Sequence, residues 1–192
     1  MRIKAFESER LSYREICIDD TEYIVRWRST PEIYRCFKKP EPLSAQEHID
    51  WYNRLYISDP TRVEYIIIHK ESASPIGIVG VSDLKEESLQ IGYLIGELSY
   101  QKRGYSVEAI NAVVDRYSKN GVWCFFAEIR ADNAASVKAI EKCGFKYDKE
   151  LGSNFLLYKK VYNGTTGKQK KESEQISEVR TWDCAVRIGI RH

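Results

Sequence analysis

The residues best suited to chemistry stand together at Gln101-Lys102-Arg103-Gly104-Tyr105-Ser106. An apolar run, Leu89 to Ile95, leads into them. Val107, Ile110, Val114 and Tyr117 follow at i, i+3, i+7 and i+10, which is helical spacing. A strand, a short basic turn with a glycine and a helix start make an anion site. The first amides of a helix have no intrahelical acceptor and point at whatever lies ahead of them. Gly104 lets backbone approach a phosphate without an intervening Cβ. Lys102 and Arg103 add charge at the same spot, and Ser106 is small enough to help cap the helix. Read alone, the same stretch also fits an ordinary basic turn before a helix.

The rest of the chain limits what such a site serves. A chain of 192 residues is long enough for one domain with a sizeable core and too short for two ordinary ones. The formal net charge is only +2, so nucleic acid is not expected as a partner and any basic site is local. No apolar run reaches the roughly 18 residues of a membrane span, and the N-terminus lacks the apolar core of a signal peptide. Cys17, Cys36, Cys124, Cys143 and Cys184 are scattered and odd in number, without Cys-x-x-Cys spacing. They read as reduced thiols of a cytoplasmic protein, mostly buried, rather than a disulfide frame or a zinc site. His48, His69 and His192 form no ligand cluster, so no metal is expected.

The elements that must position the turn read as follows. Arg10 to Cys17 is a strand, and Asp19-Asp20-Thr21 caps a helix over 22–28 carrying Ile24 and Trp27. Pro31 to Phe37 adds a turn. Ser44 and Glu47 form a capping box before a helix with Ile49, Tyr52 and Leu55. Strands follow at 63–69, 75–84 (punctuated by glycines) and 89–95, then the helix 105–119 and an apolar, central strand over 122–130. Asp132-Asn133 caps a helix over 134–142, and 145–151 with 155–162 make a hairpin. Residues 1–162 form the domain. Residues 163–192 form a polar linker followed by a period-2 stretch with Trp182, Val186, Ile188 and Ile190, an extra strand that would pair with a sheet edge of its own or of a neighbour in a homodimer.

The turn resembles the acetyl-CoA motif of the GNAT superfamily of N-acetyltransferases, [Gln/Arg]-x-x-Gly-x-[Gly/Ala], with Ser106 departing at the sixth place. The order β-α-α-β-β-β-α-β-α-β-β matches that fold over 10–162. The resemblance implies an α/β (α+β) architecture, a mixed central sheet of about seven strands flanked by about four helices. It further implies acetyl-CoA as cofactor, held at Leu94, Ile95 and Gly96 at the strand end and at Gln101 through Ser106. Glu128 to Ser136, closed by Gly144-Phe145, resembles a second stretch of the family, in which Asn133 contacts the pantetheine arm as well as capping its helix.

Acetyl transfer needs a base or water relay for the amine proton, a donor for the thioester oxygen and a proton or hydrogen bond for the leaving thiolate. The resemblance assigns the oxygen donor to the amide of Leu94. The glutamate of histone-acetylating relatives falls on Gln90, which cannot act as base. Relatives that acetylate ribosomal-protein N-termini can use a glutamate five residues before the motif Asn, here Glu128. Its apolar strand would raise a carboxylate's pKa; alternatively Glu128 pairs with Arg130. The family's tyrosine acid falls on Ile140, leaving Ser136 as the matching hydroxyl. The acceptor side resembles amino-sugar-nucleotide acetyltransferases: Trp27 and Tyr34 would stack on a base or sugar, and Arg28 and Arg35 would bind a diphosphate. The other reading puts the tryptophans in the core and leaves the arginines solvated. The resemblance therefore favours transfer of acetyl to the primary amine of a nucleotide-linked amino sugar, such as a UDP-amino sugar. Protein N-termini or polyamines are the alternatives, and so is a non-catalytic acyl-CoA-binding module.

Overall fold

The computed structural model describes residues 3–162, so the expected tail strand at 181–190 and Cys184 lie outside the described residues. Eight strands form one sheet: β1 (Ala5–Glu7), β2 (Leu11–Glu15), β3 (Val63–His69), β4 (Ser74–Ser82), β5 (Ser88–Ile95), β6 (Cys124–Arg130), β7 (Lys146–Leu151) and β8 (Phe155–Val161). Their order across the sheet is β1-β2-β3-β4-β5-β6-β8-β7. Every neighbouring pair is antiparallel except β5–β6. The helices are α1 (Thr21–Arg28), α2 (Pro31–Tyr34), α3 (Ala45–Trp51, running into a π turn at Tyr52–Tyr56), α4 (Tyr105–Ser118) and α5 (Ala134–Lys142). The eighth strand is the short β1, which pairs with β2 from Ala5 against Arg14 to Glu7 against Ser12 and which the sequence pattern does not announce. The fifth helix is the single turn α2.

The two faces of the sheet carry separate cores. Leu11, Tyr65, Val79, Ile91, Phe125 and Ala127 pack under α4 and α5, with Ile110, Val113, Val114 and Tyr117 coming from the apolar stripe of α4. Ile16, Ile24, Trp27, Ile33, Tyr56 and Ile66 pack under α1 to α3 on the other face. Cys124 to Ala127 are buried on both faces, as a near-continuous apolar strand between two neighbours must be. Among the described residues no helix is long and apolar enough to cross a membrane. Nor does any cluster of His, Cys, Asp and Glu among them suit a metal ion.

Capping follows the sequence at two helices. Ser44 Oγ accepts from the Glu47 amide, and Glu47 reaches back to the Ser44 amide at 2.8 Å. Asn133 Oδ1 accepts from the Ser136 amide at 3.1 Å. The cap expected at Asp19-Asp20 is different: Asp20 sits in a short 3-10 turn and takes the Arg14 guanidinium and the Cys17 amide instead.

His48 on α3 is buried. Thr21 Oγ1 gives its proton to Ile18 O, so the 3.1 Å contact between Thr21 Oγ1 and His48 Nδ1 uses the imidazole N–H. Burial pushes the imidazole down to about 4, with Asp20 opposing this and Arg28 adding to it. The folded state therefore binds the neutral ring. That contribution is complete above the ordinary value of 6.5 and is lost as pH falls through about 4. We expect stability to drop by ~3 kcal/mol across that window from this residue alone. His48→Gln should flatten that part of a plot of urea midpoint against pH, and an unchanged slope would place the loss elsewhere.

Candidate active site

β5 and β6 pair for only three residues, from Ser88 against Cys124 to Gln90 against Phe126, and then part. On its other side β5 stays in register with β4 as far as Gly77 against Ile95, and the Gly96 amide donates to Ile76 O at 2.8 Å. Alternate residues of an antiparallel strand turn their main-chain groups to the same neighbour. Gln90, Gly92 and Leu94 therefore bond towards β4, and Tyr93 and Ile95 face the gap. This corrects the expectation for Leu94: its amide is committed to Ile78, and the amides that open on the gap belong to Tyr93 and Ile95. The Ile95 carbonyl takes the Gln101 side-chain amide at 2.9 Å, which ties the motif's first residue to the strand.

The loop after β5 enters α4 through two left-handed residues. Lys102 (φ 61°) and Gly104 (φ 83°) both adopt the left-handed conformation, and Gly104 is the N-cap of α4. For Lys102 this costs about 1–2 kcal/mol, which the surroundings must offset. The surroundings are visible. Glu108, in the first turn of α4, takes Ser8 Oγ, the Arg10 amide and Arg10 Nε, each at 2.7 Å. Burial works against this carboxylate, but those hydrogen bonds hold it below the ordinary range. Arg10 in turn donates to Arg103 O at 3.2 Å and lies 4.4 Å over the Tyr105 ring. Tyr105 is itself buried, with its hydroxyl 3.0 Å from His69 Nε2, so only its main chain faces the loop. Loop amides, the start of a 14-residue helix and the side chains of Lys102 and Arg103 together suit a pyrophosphate. The free main chain of β5 suits an amide-bearing arm laid in the gap.

On the α1–α3 face the strand registers align four residues across the sheet. Glu64 is opposite Gly80, and Gly80 is opposite Gly92. Glu128 lies two residues beyond the last β5–β6 pair, as Gly92 does, and so stands level with it across the gap. Directly opposite residues share a face, so two carboxylates flank a floor of two glycines. A Cβ on Gly80 would occupy the place of the Glu64 carboxylate, whereas a Cβ on Gly92 would meet nothing within 4 Å. Burial pushes Glu64 up, and Arg62 (3.1 Å away) and Arg28 oppose this. Glu128 does not pair with Arg130, which bonds Asp132 at 2.6 and 2.9 Å. Its ion partner is Lys38, 2.8 Å from Oε2 and arriving from the loop after α2. That oxygen is buried and takes no aligned hydrogen bond.

The acceptor-side expectations divide. Trp27 is 1% exposed and belongs to the core; Nε1 donates to Glu97 at 2.8 Å and its ring occupies the space a Gly96 side chain would need. Gly96→Ala should therefore cost about 1–3 kcal/mol through overpacking, read as a lower urea midpoint. An unchanged midpoint would mean that the ring is not seated there. Arg28 is also buried: its guanidinium stacks 3.6 Å from the centre of the Phe37 ring, Nε lacks a partner, and burial pushes it down to about 10 while Glu64 opposes this. It is neither solvated nor an open diphosphate clamp. Tyr34 is half-buried and Arg35 exposed. At the first turn of α5, Ser136 is joined by a hydroxyl that sequence reasoning missed, since Tyr93 Oη donates to Ser136 O at 3.0 Å. Burial pushes that phenol up, so at neutral pH it remains a donor. Glu64 and Lys38 were missed too. The glycines inside β4 and β5 were the signal available, because a glycine within a strand often marks a close approach.

Comparison with known proteins agrees with this geometry. The model of the Acetyltransferase (GNAT) domain matches residues 10–146. An uncharacterised protein of Methanocaldococcus jannaschii is 32% identical over 158 residues, 81% of this chain, and the chain spans only 32% of that relative's length. The crystal structure of a domain from the same organism superposes with a TM-score of 0.72 at 30% identity, covering 80% of this chain and 99% of that one. An aminoglycoside acetyltransferase solved with coenzyme A superposes at 0.68, with 13% identity, covering 79% and 94%, a likeness of fold. Splayed strands, a glycine-capped basic helix start and the family match together place this chain in the GNAT superfamily of acetyl-CoA-dependent N-acetyltransferases.

Proposed function

We propose that the chain transfers acetyl from acetyl-CoA to the primary amine of a hydroxylated small molecule, an amino sugar and foremost a nucleotide-linked one such as a UDP-amino sugar. The observation that carries this is the open position over Gly92 beside the parted strands, with Glu128 on one side and the Glu64 carboxylate, which lies over Gly80, on the other. The charge of Glu64 is balanced by Arg62 and by the buried Arg28, so its carboxylate suits a neutral hydroxyl better than a second ammonium. A polyamine site would call for uncompensated carboxylates, and Glu64 is compensated by Arg62 and Arg28. Since Arg28 is buried, any diphosphate would fall to the exposed Arg35. The scattered cysteines support action in the cytoplasm: Cys17, Cys36, Cys124 and Cys143 are all free.

In this reading acetyl-CoA supplies the activated acetyl group, and the chain's residues do the rest. The loop amides from Lys102 to Ser106 hold the pyrophosphate. Gln101 fixes the Ile95 carbonyl, and the amides of Tyr93 and Ile95, with Asn133, orient the arm in the gap. One of those two amides is the donor for the thioester oxygen. Glu128 takes the amine proton, directly or through water. Ser136 supplies a hydroxyl for the departing sulfur while Tyr93 holds the Ser136 carbonyl in place, and Ser136→Ala should cost less than losing the base, because a thiol of pKa near ~8.5 can draw a proton from solvent.

The test is thiol release from acetyl-CoA with a panel of UDP-amino sugars, free amino sugars, polyamines and N-terminal peptides. The nucleotide-linked amino sugars should give the highest kcat/KM. A polyamine or peptide turned over tenfold better would overturn the acceptor assignment, and cofactor binding without turnover of any amine would overturn the catalytic one.

A further inference from the structure

The place an acceptor amine must reach already holds an amine. A base works on an amine within roughly 2.6–3.2 Å, and Lys38 Nζ lies 2.8 Å from Glu128 Oε2. Lys38 comes from the chain between α2 and α3, on the face where the position over Gly92 opens, and its ammonium stands 5.4 Å from the centre of the Phe155 ring. Glu128 is level with Gly92 just past the point where β5 and β6 part. Nζ is therefore close to the mouth of the gap, on the acceptor side. Its side chain is 23% exposed and that of Glu128 13%, so the pair is sheltered without being sealed. The carboxylate oxygen that faces it takes no hydrogen bond from any other group among the described residues, so the ammonium is its close partner.

We infer that Lys38 is an internal acceptor, a self-acetylation site of this enzyme. The inference rests on Glu128 acting as the base. The ammonium of Lys38 gives one proton to Glu128. The neutral nitrogen attacks the thioester carbon, an N–C bond forms and the C–S bond breaks. The sulfur leaves with the bonding pair and takes the second nitrogen proton. Glu128 later returns its proton to water, so acetyl-CoA and the lysine become free CoA, an amide and one released proton. The acetylated side chain is uncharged and no longer pairs with Glu128.

The test uses the full chain and acetyl-CoA without an added amine, with tryptic mass spectrometry following each lysine. Acetylation of Lys38 should outrun that of the exposed Lys119 at least tenfold, at a rate independent of protein concentration. It should fall at least tenfold in Glu128→Gln and vanish in Lys38→Arg, which keeps the charge. A rate rising with protein concentration, or Lys38 reacting no faster than Lys119, would overturn the inference. A ligand-free measurement stands beside it: an amine-reactive label applied without acetyl-CoA should mark Lys38 slowly in the native chain and several-fold faster in Glu128→Gln. Equal labelling in both would show that the pair does not form. If amines in the panel are acetylated while Lys38 stays unmodified, the inference alone fails. If no amine is turned over and Lys38 is also unmodified, the catalytic reading fails with it.

Discussion

Glu128→Gln is expected to lower kcat/KM for amine acetylation by roughly 10²-fold or more while leaving CoA affinity nearly intact. The substitution keeps the side chain's length and shape on β6, so the main-chain ladder with Leu157 is undisturbed. What it removes is the proton acceptor and the negative charge opposite Lys38. An amine bound as its ammonium then has nowhere nearby to lose its proton. Because the missing step is a proton transfer, the acidic limb of the rate-versus-pH profile should disappear with the carboxylate. The CoA contacts proposed above lie on the loop amides and on β5, which the change does not touch, and thermal shifts with CoA should match those of the unaltered chain. If the acidic limb persists and the rate is unchanged, Glu128 only anchors the loop that carries Lys38, and Glu64, across the glycine floor, becomes the carboxylate to substitute next.

How far this site was legible in the sequence depends on what fixes each residue. The turn at 101–106 was readable because a glycine before a helical stripe has a local physical meaning, and the structure places Gly104 as a left-handed N-cap. The central strand and the caps at Ser44 and Asn133 were readable for the same reason. The row Glu64–Gly80–Gly92–Glu128 was not. It exists only once the registers of four strands are set, and a slip of one residue would send each side chain to the other face. Leu94 shows the same dependence: whether its amide faces the gap or β4 follows from the Gly96–Ile76 bond. Trp27 and Arg28 fit both an exposed and a buried reading of α1. The decision rests with Gly96, whose missing side chain leaves room for the indole, and with Phe37, which covers the guanidinium. Lys38 reaches Glu128 from a distant loop, a contact that no local pattern encodes.

Gly104→Glu is expected to abolish stabilisation by CoA. A ligand that binds only the native state at a concentration of 100 times its Kd adds ~2.7 kcal/mol, or roughly 5–10 °C in Tm for a chain of this size. The substitution acts twice on that gain. Gly104 has φ 83°, where any side chain is strained, so the loop gives up part of its shape at a cost of about 1–2 kcal/mol. The added carboxylate also stands at the start of α4, among the amides that the pyrophosphate requires, and like charges repel there. The two effects separate with Gly104→Ala. A Cβ at this position meets only Arg10, at 3.6 Å, so space is available and alanine carries the strain without the charge. The alanine variant should lose stability yet keep a reduced CoA shift. The glutamate variant should lose the shift altogether while still melting cooperatively, since the Glu108–Arg10 clasp that holds the loop to β2 is intact. A full CoA shift in Gly104→Glu would mean that the pyrophosphate lies elsewhere, and the placement of every residue from Gln101 to Ser106 in cofactor binding would fall with it.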